Sequence, residues 1–381
     1  MESEQQDFDH PVNRRETSSV KWEHYASKDV IPMWVADMDF AAPPAVVAAL
    51  RQRVDHGVFG YTLAPASLSE AVVRHLLEEY AWQIDPNWLV WLPGVVPGLN
   101  LATRAATSVG DAVLLATPTY PPILQAPSLA ERSRVTVPFV LEKRRWELHP
   151  DHVAAAVTDR TRLFLFCNPH NPVGRSFSRT ELEQLAEICL QRNLTICSDE
   201  IHCGLILDDV PHVPIASLSP EIAQRSITLM APSKTFNIAG LNCAFAVIPD
   251  NDLRNRFVTT KAGLVPWPNA LGYVACEAAF TNGTAWHRQL LAYLRDNRNL
   301  VERVVTEDLP GLSTTHVEAT YLAWIDTRRS KIKDPTSFFE KAGVGLSDGR
   351  LFGAPGFVRL NFACPRKRLR LALERMKTAL C

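Results

Sequence analysis

Hydrophobic positions follow one pattern up to about residue 249. Short apolar segments alternate there with stretches of helical periodicity, and they predict four buried strands, in chain order 111–116, 161–166, 193–197 and 226–230. Ser178 and Glu181 form a Ser-x-x-Glu capping box, which opens an amphipathic helix that continues to Leu190. Apolar strands separated by helices are typical of a mostly parallel sheet that is covered on both faces. This region therefore predicts an α/β domain.

The pattern changes after residue 249. One long charged helix is predicted over 286–307, two strands over 317–326 and 356–362, and a closing helix over 366–379. This succession indicates a smaller α+β domain. We predict three segments, which are an N-terminal segment that contributes to the small domain (1–47), a large domain (48–284) and a small C-terminal domain (285–381).

Composition argues against several classes of protein. The 381 residues are 46% hydrophobic and 21% charged, and 40 Lys and Arg against 41 Asp and Glu leave a net charge of −1. That balance offers no bulk attraction for nucleic acid or an anionic membrane. The apolar runs fall far short of the ~18 residues of a transmembrane helix, and the acidic N-terminus does not resemble a secretory signal. We expect a cytoplasmic, enzyme-sized protein without nucleic-acid or membrane partners.

The cysteines show neither a CxxC pair nor zinc-finger spacing. They are Cys167, Cys189, Cys197, Cys203, Cys243, Cys276, Cys364 and Cys381. Most lie in apolar segments, where a reduced thiol behaves as a small hydrophobic group. We therefore predict buried structural thiols, a reducing compartment and no metal site. Cys203 lies beside a polar motif and is the candidate for a catalytic thiol.

Polar motifs follow three of the predicted strands. They are Asn168–Gly174, Ser198–His202 and Ala231–Phe236. Because ligands bind outside the carboxyl ends of the strands in open α/β sheets, we expect Asn168, Asp199 and Lys234 to meet at one edge. A lysine amine that condenses with an aldehyde, an aspartate that keeps a pyridine nitrogen protonated and an asparagine that binds a ring oxygen suit pyridoxal phosphate (PLP). Alternatively, Asp199 and Lys234 are ordinary surface charges.

Longer strings of sequence carry a resemblance that covers nearly the whole chain. They are Met33–Phe40, Phe59–Thr62, Gly94–Pro97, Asn168–Gly174, Ser198–His202, Pro232–Gly240, Thr320–Trp324 and Val358–Pro365. On these motifs the chain resembles fold-type I PLP-dependent enzymes of the class I/II aminotransferase superfamily, and more narrowly the MalY/PatB group of cystathionine β-lyase-like C–S lyases. The resemblance implies an aspartate aminotransferase-like α/β fold, PLP as cofactor, and a homodimer with shared active sites.

The resemblance also implies roles for individual residues. Lys234 would carry the cofactor and act as acid and base at the substrate Cα, and Asp199 would pair with the pyridinium nitrogen. Asn168 would donate to the ring oxygen O3′ and help to bind the substrate carboxylate. His202 would contact the same ring oxygen, and Tyr120 would stack on the ring as a further catalytic residue. The alternatives are a histidine bonded to backbone and a tyrosine that simply packs.

The cofactor phosphate requires hydrogen-bond donors. Val95 and Val96 precede a helical stretch over 99–106, so free N–H groups there would face an anion. The resemblance adds Ser233 from the same subunit and Tyr61 from a partner subunit. The chain departs from the family pattern at Asn242, where many aminotransferases have an arginine for the phosphate.

Arg359 lies in an otherwise apolar strand. A guanidinium there needs an anionic partner, and the α-carboxylate of an amino acid fits its fork. The alternative is a structural salt bridge to Asp or Glu. Two further departures from the family pattern, His75 in place of a tryptophan and Gly204 in place of an acidic residue, are expected to alter the substrate pocket.

Together these features predict a PLP-dependent C–S lyase. It would act by β-elimination on a cysteine S-conjugate or cystathionine-like amino acid and give thiol, pyruvate and ammonia. The high Ala and Arg content favours a GC-rich source, in which such lyases can serve specialised (antibiotic) metabolism. Two alternatives keep the cofactor: aminotransfer, and decarboxylation with deamination of an S-substituted cysteine. A PLP-binding regulatory protein is a third, against which the intact catalytic residues and the lack of an appended DNA-binding segment argue.

Overall fold

The computed structural model describes residues 5–381, so the first four residues of the predicted N-terminal segment lie outside the described part. Its strands are β1 (Ile31–Pro32), β2 (Leu89–Leu92), β3 (Ala112–Thr117), β4 (Ser133–Pro138), β5 (Val140–Glu142), β6 (Arg145–Glu147), β7 (Thr161–Cys167), β8 (Thr195–Asp199), β9 (Ser226–Met230), β10 (Ala244–Val247), β11 (Ser313–Thr314), β12 (Leu322–Asp326), β13 (Val344–Gly345), β14 (Ser347–Asp348) and β15 (Phe357–Asn361). Its α-helices are α1 (Val20–Glu23), α2 (Pro44–Asp55), α3 (Ala66–Tyr80), α4 (Val95–Ala106), α5 (Pro121–Leu129), α6 (Pro150–Ala156), α7 (Arg179–Gln191), α8 (Pro220–Ala223), α9 (Asn251–Lys261), α10 (Ala270–Asn282), α11 (Thr284–Glu307), α12 (Pro335–Lys341) and α13 (Arg366–Leu380). Four short 3₁₀ helices are Pro86–Trp88, Ile215–Ser217, Ala239–Leu241 and Gly349–Phe352.

The large sheet has seven strands in the order β2-β10-β9-β8-β7-β3-β4. All pairs from β9 to β4 are parallel, whereas β10 runs antiparallel to both of its neighbours. The predicted fold class, an α/β protein with a mostly parallel sheet, is confirmed. The third predicted strand starts two residues late, at Thr195, because Asn193 adopts a left-handed φ of 53° in the preceding turn.

Helices cover both faces of this sheet, as the continuous apolar strands predict. Leu163 and Leu165 of β7 face α4, α5 and α9, whereas Phe164 and Phe166 face α7. The predicted capping box at the start of α7 is present. At Gly98, a Cβ would lie 2.9 Å from a methyl carbon of Leu229. Glycine there lets α4 pack closely on β9, which brings the start of α4 to the carboxyl edge of the sheet.

A second sheet, with the antiparallel order β11-β12-β15-β14, lies in the C-terminal part. The segment Ile31–Phe40 shares a hydrophobic core with β12, β15 and α13, and β1 pairs parallel with β13. The three predicted segment boundaries stay a prediction. The strand predicted over 317–326 is shorter, because Thr320 has a φ of 74° and β12 begins only at Leu322.

The structure shows the surroundings of the cysteines, including the candidate catalytic thiol. Seven of the eight cysteines are buried and Cys381 is exposed. Burial raises the pKa of the Cys203 thiol to about 12, so the structure gives no support to a catalytic role for it.

Within residues 5–381, no helix combines the length and the apolar character that crossing a membrane would need.

Residues 33–40, here called the N-terminal strap, are held by a buried charge cluster around Asp39. This carboxylate is fully buried and accepts from Trp22 Nε1 at 3.0 Å. Arg14 and Arg368 lie 3.0 Å from its oxygens, and the buried Lys21 lies 3.3 Å away. Burial alone would raise the pKa of Asp39, but these cations outweigh it and lower that pKa. The cluster ties the strap to α13.

We expect Asp39→Asn to lower the free energy of unfolding by about 3 kcal/mol, because Lys21 would lose a carboxylate partner inside the protein. Chemical denaturation measures the change. The control is Asp29→Asn, since Asp29 is exposed and pairs with Arg375 at 2.8 Å on the surface; its effect should stay below about 1 kcal/mol. Equal losses in the two variants would contradict the assigned role of the cluster.

Candidate active site

The ends of four neighbouring parallel strands, β9, β8, β7 and β3, open into one cavity of about 690 Å³. Most of the predicted site residues line it: Val95, Val96, Tyr120, Asp199, His202, Ser233, Lys234 and Arg359. Asn242 lines it too, whereas four other predicted residues do not: Tyr61, His75, Asn168 and Gly204. The strand-end argument therefore located this cavity, but not every residue in it.

Lys234 lies in the turn after β9 and reaches the strap. Its Nζ donates a hydrogen bond to the Ala36 carbonyl at 2.6 Å, and the Tyr321 hydroxyl donates to the same oxygen at 2.9 Å. Burial lowers the pKa of Lys234 to about 8, against the opposing effects of Asp37 and Asp199. A lysine with such a pKa is a usable nucleophile near neutral pH.

This pKa predicts how the cofactor-free protein reacts with an amine-directed reagent. Modification of Lys234 should reach half of its maximal rate near pH 8, because only the neutral amine is nucleophilic. Labelling at a series of pH values, followed by peptide mass spectrometry, measures the midpoint. A midpoint near 10.5, the ordinary value for lysine, would contradict the effect of burial.

Asp199 is the last residue of β8 and is buried. Its Oδ1 accepts from the Ile201 N–H at 3.2 Å. Burial raises its pKa to about 7, although that hydrogen bond and Lys234 act in the opposite direction. A buried carboxylate of this kind gains most from a cationic N–H donor, which a pyridinium nitrogen would supply.

The structure corrects the assignment of Asn168, which does not line the cavity. Its Oδ1 accepts from Phe177 N at 3.1 Å and its Nδ2 lies 3.5 Å from the Val213 carbonyl, so its side chain is engaged in backbone contacts. Asn171, three residues on, lines the cavity and accepts from Arg359 Nη1 at 2.9 Å. The turn after β7 therefore presents its second asparagine, and the roles at O3′ and at the substrate carboxylate pass to Asn171 as a prediction.

Arg359 has no carboxylate partner among the described residues. Its Nη1 donates to Asn171 Oδ1, and its Nη2 donates to the Trp34 carbonyl at 2.9 Å and lies 3.3 Å from Ser347 Oγ. The buried Nε has no partner within the described chain, and the guanidinium stacks on Phe352 at 4.7 Å. Burial lowers its pKa to about 10, so it stays charged at neutral pH. The alternative of a structural salt bridge does not hold in residues 5–381.

His202 and Tyr120 also line the cavity. His202 is buried, and its Nδ1 has no hydrogen-bond partner in the described residues. Burial, with the nearby Lys234 and Arg359, lowers its pKa to about 3, so the ring is neutral. Burial and Asp199 raise the pKa of the half-buried Tyr120, so its hydroxyl is protonated. Both side chains are available to a ligand, and their roles toward PLP stay predictions.

The other end of the cavity suits a phosphate. Helix α4 begins with Val95 and Val96, and no side chain caps its N-terminus at Gly94. Its first N–H groups therefore face the cavity together with Ser233 and Asn242. With Lys234, Asp199 and the unpartnered donor of Arg359, these residues fit PLP and an amino acid. Asn242 supplies no charge, so the phosphate would rest on the helix N-terminus and neutral donors.

Three further residues singled out in the sequence lie outside this cavity. Tyr61 is fully exposed, in a loop away from the cavity of its own chain. His75 and Gly204 line a separate, nearly closed space together with Thr235, so they do not alter the walls of the substrate cavity. Burial lowers the pKa of His75 to about 4, and a Cβ on Gly204 would lie 2.6 Å from Thr235 Oγ1. The His75 ring is therefore part of the internal packing, and glycine at 204 leaves room for the Thr235 side chain.

Comparison with known proteins identifies the family of the chain. The family model for class I and II aminotransferases matches residues 28–376, so the chain belongs to that family. The predicted family and fold are confirmed. The chain is 37% identical to the cystathionine β-lyase PatB of Bacillus subtilis, over 98% of this chain and 99% of the relative. It is a cystathionine β-lyase-like member of the family.

Two solved structures are also similar. A protein named OvoB is 47% identical with a TM-score of 0.96, over 98% of this chain and 99% of that chain. Cystalysin from Treponema denticola, which contains a pyridoxal 5′-phosphate cofactor, is 32% identical with a TM-score of 0.95, over 98% of both chains. The prediction of PLP as cofactor is confirmed by solved relatives that contain it.

Among the groups in the cavity that sequence reasoning missed are the carbonyls of Trp34 and Ala36 and the side chains of Asn171 and Ser347. A backbone carbonyl leaves no mark on residue type, so the strap could not be assigned this role. Asn171 had the same signal as Asn168, an Asn-Pro pair at a strand end. Ser347 lay in a stretch without a predicted element.

Proposed function

We propose that this chain is a PLP-dependent C–S lyase that cleaves a cysteine S-conjugate or cystathionine-like amino acid by β-elimination. One observation carries the proposal: the buried Arg359 faces the cavity of Lys234 with neutral acceptors only, and Nε is unpartnered among the described residues. A buried cation without a counter-ion is costly, and a substrate carboxylate would supply one. The relatives named cystathionine β-lyase support the reaction class.

Each polar residue of the cavity has a separate role in this reaction. Arg359 binds the α-carboxylate, and Asn171 orients the guanidinium. PLP, when bound, supplies an electron sink for the negative charge at the substrate Cα. Lys234 holds the cofactor, then takes the Cα proton, and the Ala36 carbonyl stabilises the resulting ammonium by accepting its hydrogen bond. Asp199 keeps the pyridine nitrogen protonated.

The contact with the carboxylate and the leaving group of the substrate favour elimination over decarboxylation and aminotransfer. Arg359 would hold the α-carboxylate through its two-pronged fork, and a carboxylate that is fixed in this way is not favoured to leave as carbon dioxide. A cysteine S-conjugate carries a β-thiolate, which is a competent leaving group at neutral pH, so elimination would follow removal of the Cα proton by Lys234. Cleavage of the β C–S bond then gives thiol, with pyruvate and ammonia after hydrolysis. The identity of the S-substituent and a role in antibiotic metabolism stay predictions.

A product assay tests this function. The PLP-loaded enzyme is incubated with a panel of cysteine S-conjugates, including cystathionine, and thiol and pyruvate are quantified together. Release of thiol and pyruvate in equal amounts from at least one conjugate supports the lyase. A keto acid that still carries sulfur, together with aminated cofactor, would overturn it in favour of aminotransfer.

We also propose a homodimer with shared sites. The loop 57–65 exposes Phe59, Tyr61 and Leu63, and a groove of about 1110 Å³ joins it to exposed residues such as Leu264 and Trp267. Exposed apolar surface of this extent marks a contact site. A second copy of the chain would cover it and bring Tyr61 to the partner's phosphate site.

Complementation should reveal the shared site. Tyr61→Phe and Lys234→Ala homodimers are expected to be strongly impaired, whereas a mixed population should regain part of the activity, because one site of each heterodimer keeps both native residues. Refolding of mixed subunits, followed by turnover assays, measures the rescue. No rescue despite proven subunit exchange would count against a shared site.

A further inference from the structure

Ser347 and Arg359 form a directly opposed pair across β14 and β15. Ser347 is buried, lines the cavity and donates from Oγ to the Trp34 carbonyl at 2.8 Å. Arg359 Nη2 donates to the same carbonyl at 2.9 Å and lies 3.3 Å from Ser347 Oγ. The hydroxyl thus closes a triangle of hydrogen bonds at the head of the guanidinium.

The three acceptors around this guanidinium differ in chemistry. Asn171 Oδ1 and the Trp34 carbonyl can only accept, whereas a serine hydroxyl accepts and donates at the same time. If an anion arrives at the fork, the Ser347 oxygen is therefore the one of these three atoms that can turn its own proton toward it, whereas Asn171 could donate only through its other amide atom, Nδ2. The Trp34 carbonyl would keep its bond from Arg359 Nη2, so no buried acceptor would be left without a donor.

We infer that Ser347 is a further binding residue for the substrate α-carboxylate, beside Arg359 and Asn171: its hydroxyl fixes the Arg359 fork in the free protein and donates to the carboxylate in the complex. This inference rests on the proposed function, which assigns the carboxylate to Arg359. Ser347 would recognise the carboxylate through a neutral hydrogen-bond donor, so the site would gain no further charge. The strap takes part through Trp34, whose carbonyl holds the fork in both states.

The test compares two ligands on the PLP-loaded enzyme by dissociation constants, taken from the stopped-flow amplitude of the absorbance change of the bound cofactor before any cleavage. One ligand is S-benzylcysteine, and the other is S-benzylcysteamine, which lacks only the α-carboxylate. Ser347→Ala should weaken S-benzylcysteine about tenfold, because a hydrogen bond to a charged group is lost. S-benzylcysteamine should change less than about twofold, and Ser347→Thr should restore most of the affinity, since it keeps the hydroxyl.

Ser330→Ala serves as the matched control, because Ser330 Oγ donates only to the Thr327 carbonyl in the same part of the chain. If Ser347→Ala does not fold, Ser347→Cys keeps the shape with a much weaker donor. Equal weakening of both ligands, or no weakening of either, would overturn the inference. If the wild-type enzyme itself does not prefer the ligand with the carboxylate, the proposed role of Arg359 fails instead, so the two failures are distinguishable.

Discussion

Lys234→Ala is expected to reduce turnover by about 10³-fold or more, the largest effect of any single change in this chain. The residue is assigned both the covalent hold on the cofactor and the proton transfer at Cα, and acid–base catalysis alone typically contributes about 10²–10⁴-fold. Steady-state kinetics on the purified variant, with PLP in excess, measures the loss. The folded structure should remain, because Lys234 contacts the strap through one hydrogen bond to Ala36.

Lys261 offers the matched control. It is also buried, has a pKa lowered by burial, and donates to the Trp91 carbonyl at 2.8 Å, but it lies outside the cavity, on the groove proposed as the subunit contact. Lys261→Ala should keep turnover within about tenfold of the parent enzyme, with any loss reflecting stability or a weaker subunit contact, which size-exclusion chromatography detects. Comparable losses in the two variants would remove the special role of Lys234.

Asp199→Asn is expected to lower turnover by about 10²–10³-fold while PLP still binds. The amide keeps the size of the side chain and the acceptor for the Ile201 N–H, but it removes the charge that keeps the pyridine nitrogen protonated. The rate of exchange of the substrate Cα proton with solvent should fall in parallel with turnover, since both depend on the same electron sink. Proton NMR in deuterium oxide follows that exchange.

Asp348→Asn provides the comparison for this variant, because Asp348 lies beside Ser347 but pairs with the exposed Arg350. It should leave both the exchange rate and turnover nearly unchanged. Near-normal exchange in Asp199→Asn would exclude Asp199 from its assigned role, whatever its effect on cofactor affinity.

Local signals explain why most of the fold was predictable. The apolar strand predicted over 161–166 and the capping box at Ser178 are encoded by a few adjacent residues, and both are present, the strand as β7 with one more residue, Cys167. The antiparallel direction of β10 was not accessible, since an apolar segment buries equally well in either direction. The start of β12 was misplaced because Thr320 takes a left-handed conformation that its residue type does not announce.

Some residues of the site could be predicted from the sequence and others could not, for similar reasons. Lys234 and Asp199 could be placed in one cavity because Asp199 ends β8 and Lys234 lies in the turn after β9, and these parallel strands are neighbours in the sheet. The choice of Asn168 over Asn171 failed because the direction of each side chain depends on the path of the turn after β7. Contacts from the strap depend on backbone atoms, which every residue type possesses. The role predicted for Tyr61 depends on the proposed contact between subunits, which the structure of one chain does not include.

The fate of the substrate carboxyl carbon tests the central claim most directly. A cysteine S-conjugate labelled with ¹³C at that carbon is incubated with the PLP-loaded enzyme, and the products are identified by mass spectrometry. β-Elimination with Arg359 on the carboxylate predicts labelled pyruvate together with free, unlabelled thiol. Labelled carbon dioxide, with sulfur still attached to the remaining product, would contradict the assigned reaction.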